Sequence, residues 1–359
     1  MNTLICFYEK EDFIFCEDYF LHECSDSENS FEFLAGIEKK YPQEMKIIQL
    51  NFEVANEELL ASQKALYPTA KANVFILNKY EIVAATDLLQ RLPEENTHLQ
   101  FTPIESKPVF IEKATLLKKD ISAGRLYQAN LTSALKSKTD IESKVLFKKY
   151  FNKMSGRYKA LLPLKSVDVV SHSPELFLAK KENRLVTQPI KGSIAQHKNF
   201  EADLINNTKE EAELSMIVDL LRNDLNKVEK RSSAVVTKHR HLMELGYIQH
   251  TFSEVEIKTD KNLPEILSCT FPGGSISGCP KIESLKVISE LETIKRQVYT
   301  GCIGWWKKNE FILNLAIRTF IKHEDNVFYH SGCGIVYDSD PEKEWNEFIL
   351  KTGSLHAGN

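Results

Sequence analysis

The sequence predicts an α+β protein, on three observations. Short strand-like runs follow one another without a steady strand–helix–strand alternation, which argues against a doubly wound sheet. Residues 200–226 carry the 3.6-residue apolar period of one long helix. The chain has 359 residues, 42% of them hydrophobic, which supplies ample core for one large or two ordinary domains.

The elements follow in order. Strand-like runs at 45–52 and 73–77 are separated by polar, acid-rich loops and hold no catalytic constellation. The chain changes character near Thr102-Pro103, so residues 1–104 are expected to form an N-terminal scaffold and 105–359 the catalytic domain. A helical run from Lys107 to about Ile121 is stopped by Ala123-Gly124, and 125–135 then reads as a strand. Further strands are expected at 158–162, 167–172 and 185–193, ahead of the long helix. Residues 314–319 read as a buried strand interrupted by Arg318. Asp340-Pro341-Glu342 starts a last helix, with an acid at the N-cap and proline at the first helical position.

Composition removes several classes of function. Lys and Arg number 46 against 50 Asp and Glu, a net charge of −4 with both signs interspersed, which is not the basic footprint of a nucleic-acid binder. No apolar run reaches the length of a membrane span, and Met1-Asn2-Thr3 opens without the flanks of a signal peptide. Seven cysteines, an odd number without a C-x-x-C pair, fit reduced thiols. A cytoplasmic protein with neither nucleic-acid nor membrane partners is therefore expected. An acidic protein that takes an anionic substrate must hold it with local groups.

Four segments carry chemistry. Pro189-Ile190-Lys191-Gly192-Ser193 holds an amine between a rigid proline and a glycine within a strand-like run, and an amine fixed in that way can be a nucleophile. On the long helix Glu210, Glu213, Ile217 and Leu220 share one stripe, and a carboxylate there is costly unless neutralised, hydrogen-bonded or bound to a cation. The last helix projects Glu344 and Glu347 from one face. Two such pairs, far apart in sequence, are what a hard oxygen-seeking cation such as Mg²⁺ uses. The glycines of Pro272-Gly273-Gly274-Ser275 and Ser331-Gly332-Cys333-Gly334 let backbone amides approach an anion closely.

In order and type, Pro189 to Ser193, Phe271-Pro272-Gly273-Gly274-Ser275-Ile276-Ser277-Gly278-Cys279-Pro280-Lys281 and Ser331 to Asp340 resemble the chorismate-binding enzymes. The resemblance covers about Lys107 to Lys351. It implies the anthranilate synthase component I-like fold, α+β, with two packed antiparallel sheets flanked by helices and the active site between them. It implies Mg²⁺, with Glu213 and Glu347 as direct ligands and Glu210 and Glu344 acting through water, anchoring the ring carboxylate of chorismate. Tyr299, Arg318, Gly332 and Gly334 match the positions that hold the enolpyruvyl arm, and Gly192 and Ser275 complete that pocket. Glu175 in Ser173-Pro174-Glu175 and His250 match the acid–base positions. Glu175 ranks first, because the departing ring hydroxyl needs protonation by an acid whose pKa burial has raised.

Two positions address which reaction is run. Gln128, in Leu126-Tyr127-Gln128-Ala129-Asn130-Leu131, stands where isochorismate and salicylate synthases carry a lysine that activates water, which leaves ammonia as the incoming group. Lys191 stands where anthranilate synthases have alanine and aminodeoxychorismate synthases have lysine. The resemblance thus implies an aminodeoxychorismate-forming enzyme of 4-aminobenzoate and folate biosynthesis, in which Lys191 attacks ring carbon two and ammonia then enters at carbon four. Cys333 is flanked by glycines but lies in the proposed carboxylate pocket, and no cysteine has the setting that glutamine hydrolysis needs, so ammonia is expected from solution or from a separate glutaminase subunit. The C-terminal sequence ending at Asn359 suggests no lyase domain. Anthranilate synthase and a catalytically silent regulatory homologue are the alternatives.

Overall fold

The computed structural model describes residues 3–9, 11–95, 97–195, 208–245 and 248–351. In chain order the strands and helices are β1 (Leu4–Phe7), β2 (Asp12–Glu23), α1 (Ser30–Lys40), β3 (Lys46–Leu50), β4 (Ala72–Ala84), α2 (Ala85–Arg91), β5 (Thr102–Pro103), α3 (Lys107–Ser122), β6 (Gln128–Lys138), α4 (Ser143–Phe151), β7 (Tyr158–Pro163), β8 (Asp168–Ser173), β9 (Leu176–Lys181), β10 (Arg184–Gln188) and β11 (Ile190–Ala195). They continue with α5 (Thr208–Val228), β12 (Val235–Leu245), β13 (Ile248–Lys258), α6 (Leu263–Thr270), α7 (Gly274–Ser277), β14 (Gly278–Cys279), α8 (Lys281–Leu291), β15 (Cys302–Lys307), β16 (Glu310–Leu315), β17 (Thr319–His323), β18 (Asn326–Ile335) and α9 (Pro341–Lys351).

All ladders between these strands are antiparallel, and they trace one path. From β6 it passes through β18, β17, β8 and β7 to β1, then through β2, β4, β3 and β15 to β16, β9, β10 and β13. The short β5 and β14 pair with β6, and β11 and β12 pair with β13. The α+β fold and its antiparallel sheets with flanking helices are thus present, and the two sheets are arms of one hydrogen-bonded network. The N-terminal strands stand between the arms: β1 pairs with β7, and β3 pairs with β15.

That placement explains a feature of the sequence. Side chains alternate across a strand, so one whose two faces are both covered reads as a continuous apolar run. In β3 Ile47 joins one core cluster and Ile48 the other, and in β4 Phe75 and Leu77 join the first while Val74 and Ile76 join the second. Strand β15 does the same with Trp305 and Trp306. Helices α3, α4 and α9 cover the first core through Phe110, Phe147 and Phe348. Helices α1, α5 and α6 cover the second through Leu34, Val218 and Ile266.

Several boundaries differ from the sequence reading. The strand expected at 185–193 is broken at Pro189, which has no N–H for the ladder. The strand expected to contain Arg318 ends at Leu315, and Arg318 sits in a turn with φ of 52°, in the left-handed region. The long helix is observed from Thr208 to Val228, and residues 196–207 lie outside the described residues. Asp340 caps α9 as expected, its Oδ1 accepting from the amides of Glu342 (2.9 Å) and Lys343 (3.0 Å). Among the described residues no helix is long and apolar enough to cross a membrane.

Candidate active site

The two ends of the strand path meet at Lys191. On β11 the register slips by one residue between Lys191, opposite Thr251, and Ser193, opposite His250, so Gly192 is the extra residue of a bulge. A bulge bends its strand and re-aims the neighbouring side chain. The Lys191 carbonyl is fixed by Thr251 Oγ1 at 2.6 Å. Its Nζ lies 3.9 Å from Glu213 Oε2 on α5, with both side chains about a fifth to a quarter exposed (24% and 21%). On its other side is Gly334 of β18. A Cβ there would lie 4.0 Å from Lys191 Nζ and only 2.7 Å from the Gln128 amide nitrogen, so the missing side chain makes room for the Gln128 carboxamide. Gln128 is 1% exposed, and its Oε1 has no hydrogen-bond partner in the structure. A buried, unpaired acceptor is costly, and this one marks a place where a donor belongs.

Glu175 lies within electrostatic reach of the same amine. It is 7% exposed on the connection between β8 and β9. Burial pushes its carboxyl up to about 7, and the Ser275 hydrogen bond and the Lys191 charge act in the opposite direction. Ser275 Oγ donates to Glu175 Oε1 at 2.8 Å. The backbone is pinned as well, since the Glu175 carbonyl accepts from the Leu315 amide at 3.1 Å and Ser173 Oγ donates to the Leu315 carbonyl at 2.5 Å. The result is a carboxyl that is part protonated at neutral pH, beside an amine.

The Gly273-Gly274 pair also has a packing reason. A Cβ on Gly273 would lie 2.9 Å from Leu315 Cδ2, and one on Gly274 would lie 2.7 Å from Leu220 Cδ2. These glycines let the turn before α7 wedge between α5 and β16, which is what delivers Ser275 to Glu175. Gly332 likewise faces Leu131 O and Thr132 Cγ2, each 2.9 Å from where its Cβ would be.

Of the glutamates expected to form the cation site, Glu344 and Glu347 come together. Carboxylate oxygens of Glu344 and Glu347 and the Cys333 thiol lie within 4.8 Å of one another, and Glu213 is not part of that group. Cys333 is buried, donates to the Glu344 carbonyl at 3.3 Å, and is held as a thiol by burial, which pushes it up to about 12. The two carboxylates of α9 are hard oxygen donors that fit a cation such as Mg²⁺. Lys351 pairs with Glu347 at 2.8 Å and donates to the Gly332 carbonyl at 2.8 Å, tying this group to the glycine-rich stretch of β18. The side chain of Glu210 lies outside the described residues.

The remaining expected residues are set around this centre. Arg318 donates to the carbonyl of Ser155 and, at 3.0 Å, to its hydroxyl. Tyr299 is buried, and its ring stacks on His330 at 5.4 Å. Both lie within electrostatic reach of Tyr329. His250 is buried on β13, in register with Ser193 and Met243. Sequence reasoning assigned no part to two buried ion pairs beside the site. Arg296 and Glu292 are 1% and 2% exposed and 2.8 Å apart. Arg296 donates to the carbonyls of Ile276 (2.8 Å) and Asn130 (2.6 Å), and Glu292 accepts from the Thr132 amide at 2.9 Å. Lys281 and Asp224 form the other pair, at 2.5 Å. An i,i+4 acid–base pair at 292 and 296 was the available signal, but such pairs are usually solvated.

The antiparallel α+β network thus carries an amine, a buried acid and, on α9, an acidic pair. The profile of the family described as chorismate binding enzyme matches residues 27–357, and the chain belongs to that family. It is 33% identical over 272 residues to anthranilate synthase component 1 1 of Haloarcula marismortui, covering 73% of this chain and 56% of that protein. It is also 33% identical over 255 residues to aminodeoxychorismate synthase component 1 of Bacillus subtilis, covering 68% and 54%. The chain thus matches about half the length of these curated relatives. Among solved structures, anthranilate synthase component I of Streptococcus pneumoniae superposes with a TM-score of 0.83 at 22% identity, covering 99% of this chain and 92% of that one. The menaquinone-specific isochorismate synthase of Escherichia coli gives 0.78 at 15% identity, covering 100% and 89%.

Proposed function

We propose that this chain converts chorismate and ammonia to 4-amino-4-deoxychorismate, with Lys191 as a covalent nucleophile. The observation that carries the reading is the amine of Lys191 within electrostatic reach of the buried, neutral-range carboxyl of Glu175. Lys191 Nζ forms a bond to ring carbon two while the C4–O bond breaks, and Glu175 gives its proton so that the hydroxyl departs as water. Ammonia then bonds to carbon four, the C2–N bond to Lys191 breaks, and the Glu175 carboxylate takes up the surplus proton. Gln128 offers a carboxamide where a water-activating base would have to stand, and its unpartnered Oε1 suits the N–H of an incoming ammonia. His250 is the second acid–base candidate. Arg318, Tyr299 and the backbone at Gly192, Gly332 and Gly334 hold the enolpyruvyl arm, with Ser275 beside them.

Mg²⁺, held by Glu213 and Glu347 directly and by Glu210 and Glu344 through water, would supply positive charge for the ring carboxylate. Burial raises the thiols of Cys6, Cys16, Cys24, Cys279, Cys302 and Cys333, the opposite of what a glutaminase nucleophile needs. Ammonia from solution or from a separate glutaminase subunit is part of this proposal. Anthranilate synthesis is the second reading, favoured by the equal 33% identity to the Haloarcula protein. Incubating the pure chain with chorismate, ammonium and Mg²⁺ and identifying the product by mass and retention decides between them.

A further inference from the structure

Lys281 sits outside the reacting centre, yet its hydrogen bonds converge on the segment that delivers Ser275. Its Nζ donates to the carbonyls of Thr270 (2.9 Å) and Pro272 (2.8 Å) and pairs with Asp224 Oδ2 at 2.5 Å. The lysine and aspartate side chains are 11% and 3% exposed. Asp224 lies on α5, the helix that carries Glu213, and its Oδ1 also meets Lys227 at 3.0 Å. Two residues after Pro272 a Cβ on Gly274 would lie 3.5 Å from Asp224 Oδ2, so this segment runs beside the ion pair itself. Ser275 follows at once, with its 2.8 Å hydrogen bond to Glu175.

We propose that Lys281 is a positioning residue: held by Asp224, its ammonium fixes the Thr270–Pro272 turn so that Ser275 keeps its hydrogen bond to Glu175. This deepens the reading above and rests on it for the kinetic part only. The ammonium has two separable tasks. It neutralises Asp224, and it ties down two backbone carbonyls, so removing both charges together preserves the first purpose and destroys the second. A merely structural ion pair would be replaced without loss by a neutral pair of similar volume.

The test compares Lys281→Met with the double variant Lys281→Met, Asp224→Asn. The single variant leaves the buried Asp224 with only the half-exposed Lys227 as counter-charge and is expected to melt early or fold poorly. The double variant is expected to recover the melting temperature while kcat stays about 10²-fold low and KM changes by less than about threefold. A second readout needs no turnover: the Glu175 carboxyl, followed by ¹³C NMR, should titrate above its wild-type midpoint in the double variant, because the hydroxyl that favours its charged form is lost. If the double variant regains kcat and the wild-type Glu175 midpoint, the positioning role is wrong. If wild type turns over no chorismate but the midpoint still shifts, the reaction assignment fails and the positioning role stands. A double variant that does not fold would itself contradict the proposal that the neutral pair preserves the fold.

Discussion

Lys191 Nζ and Glu213 Oε2 face one another at 3.9 Å, one on the bulged strand β11 and the other on α5. The acid assigned to the cation is therefore also a counter-charge of the proposed nucleophile. Glu213→Gln should weaken Mg²⁺ and chorismate binding together, by about tenfold or more each. Calorimetric titration of each ligand in the presence and absence of the other checks this, and unchanged Mg²⁺ affinity would remove Glu213 from the cation site. EDTA should abolish turnover.

Glu175 makes a prediction about stability that is independent of the reaction. Its folded carboxyl is raised to about 7 from an ordinary value of 4.5. Folding therefore favours the protonated form, so the stability it contributes is complete below 4.5 and is lost as pH rises towards 7. The loss is on the order of 3 kcal/mol above that pH. Glu175→Gln should melt several degrees above wild type at pH 8 and at nearly the same temperature at pH 4. Identical differences at both pH values would show that Glu175 is not held neutral by burial.

The same carboxyl should govern the pH profile. If its acid form protonates the leaving hydroxyl, kcat/KM at a fixed concentration of free NH₃ falls as pH rises through about 7. Ser275→Ala removes a hydrogen bond that favours the carboxylate, so the descending limb should move to higher pH while the maximum rate drops. A limb that does not move separates Ser275 from the acid.

At Gly334 strand β18 leaves room for the Gln128 side chain of β6. Gly334→Ala must displace the Gln128 amide, which a Cβ would meet at 2.7 Å. Overpacking of this kind costs about 1–3 kcal/mol. Chorismate binding should weaken about tenfold or more, with thermal melting and equilibrium binding as the measurements. Near-wild-type binding would place the substrate away from Gly334.

The α+β class, the long helix, the N-cap at Asp340 and the glycine-flanked lysine were legible because each rests on local pattern. The carboxylate of Glu175 could be named from its segment, but its environment could not, since Ser275 reaches it from 100 residues away. The packing of Gly273 and Gly274 against Leu315 and Leu220 was not legible, because a glycine is silent about whether ligand, backbone or a leucine fills the space it leaves. The buried pairs Lys281–Asp224 and Arg296–Glu292 were invisible for a related reason: a charged residue reads as solvated until the fold closes over it. The continuous apolar runs of β3 and β4 gave strands, and only the path of the sheet shows that these strands serve two cores.

Covalent catalysis by Lys191 is the central claim, and product analysis of Lys191→Ala with chorismate, ammonium and Mg²⁺ tests it most directly. The variant should keep its fold and lose aminodeoxychorismate formation by roughly 10³-fold or more, with the space opened beside carbon two admitting ammonia to give an anthranilate-type product. Aminodeoxychorismate formed by Lys191→Ala at the wild-type rate would contradict the account and reduce the lysine to an electrostatic role.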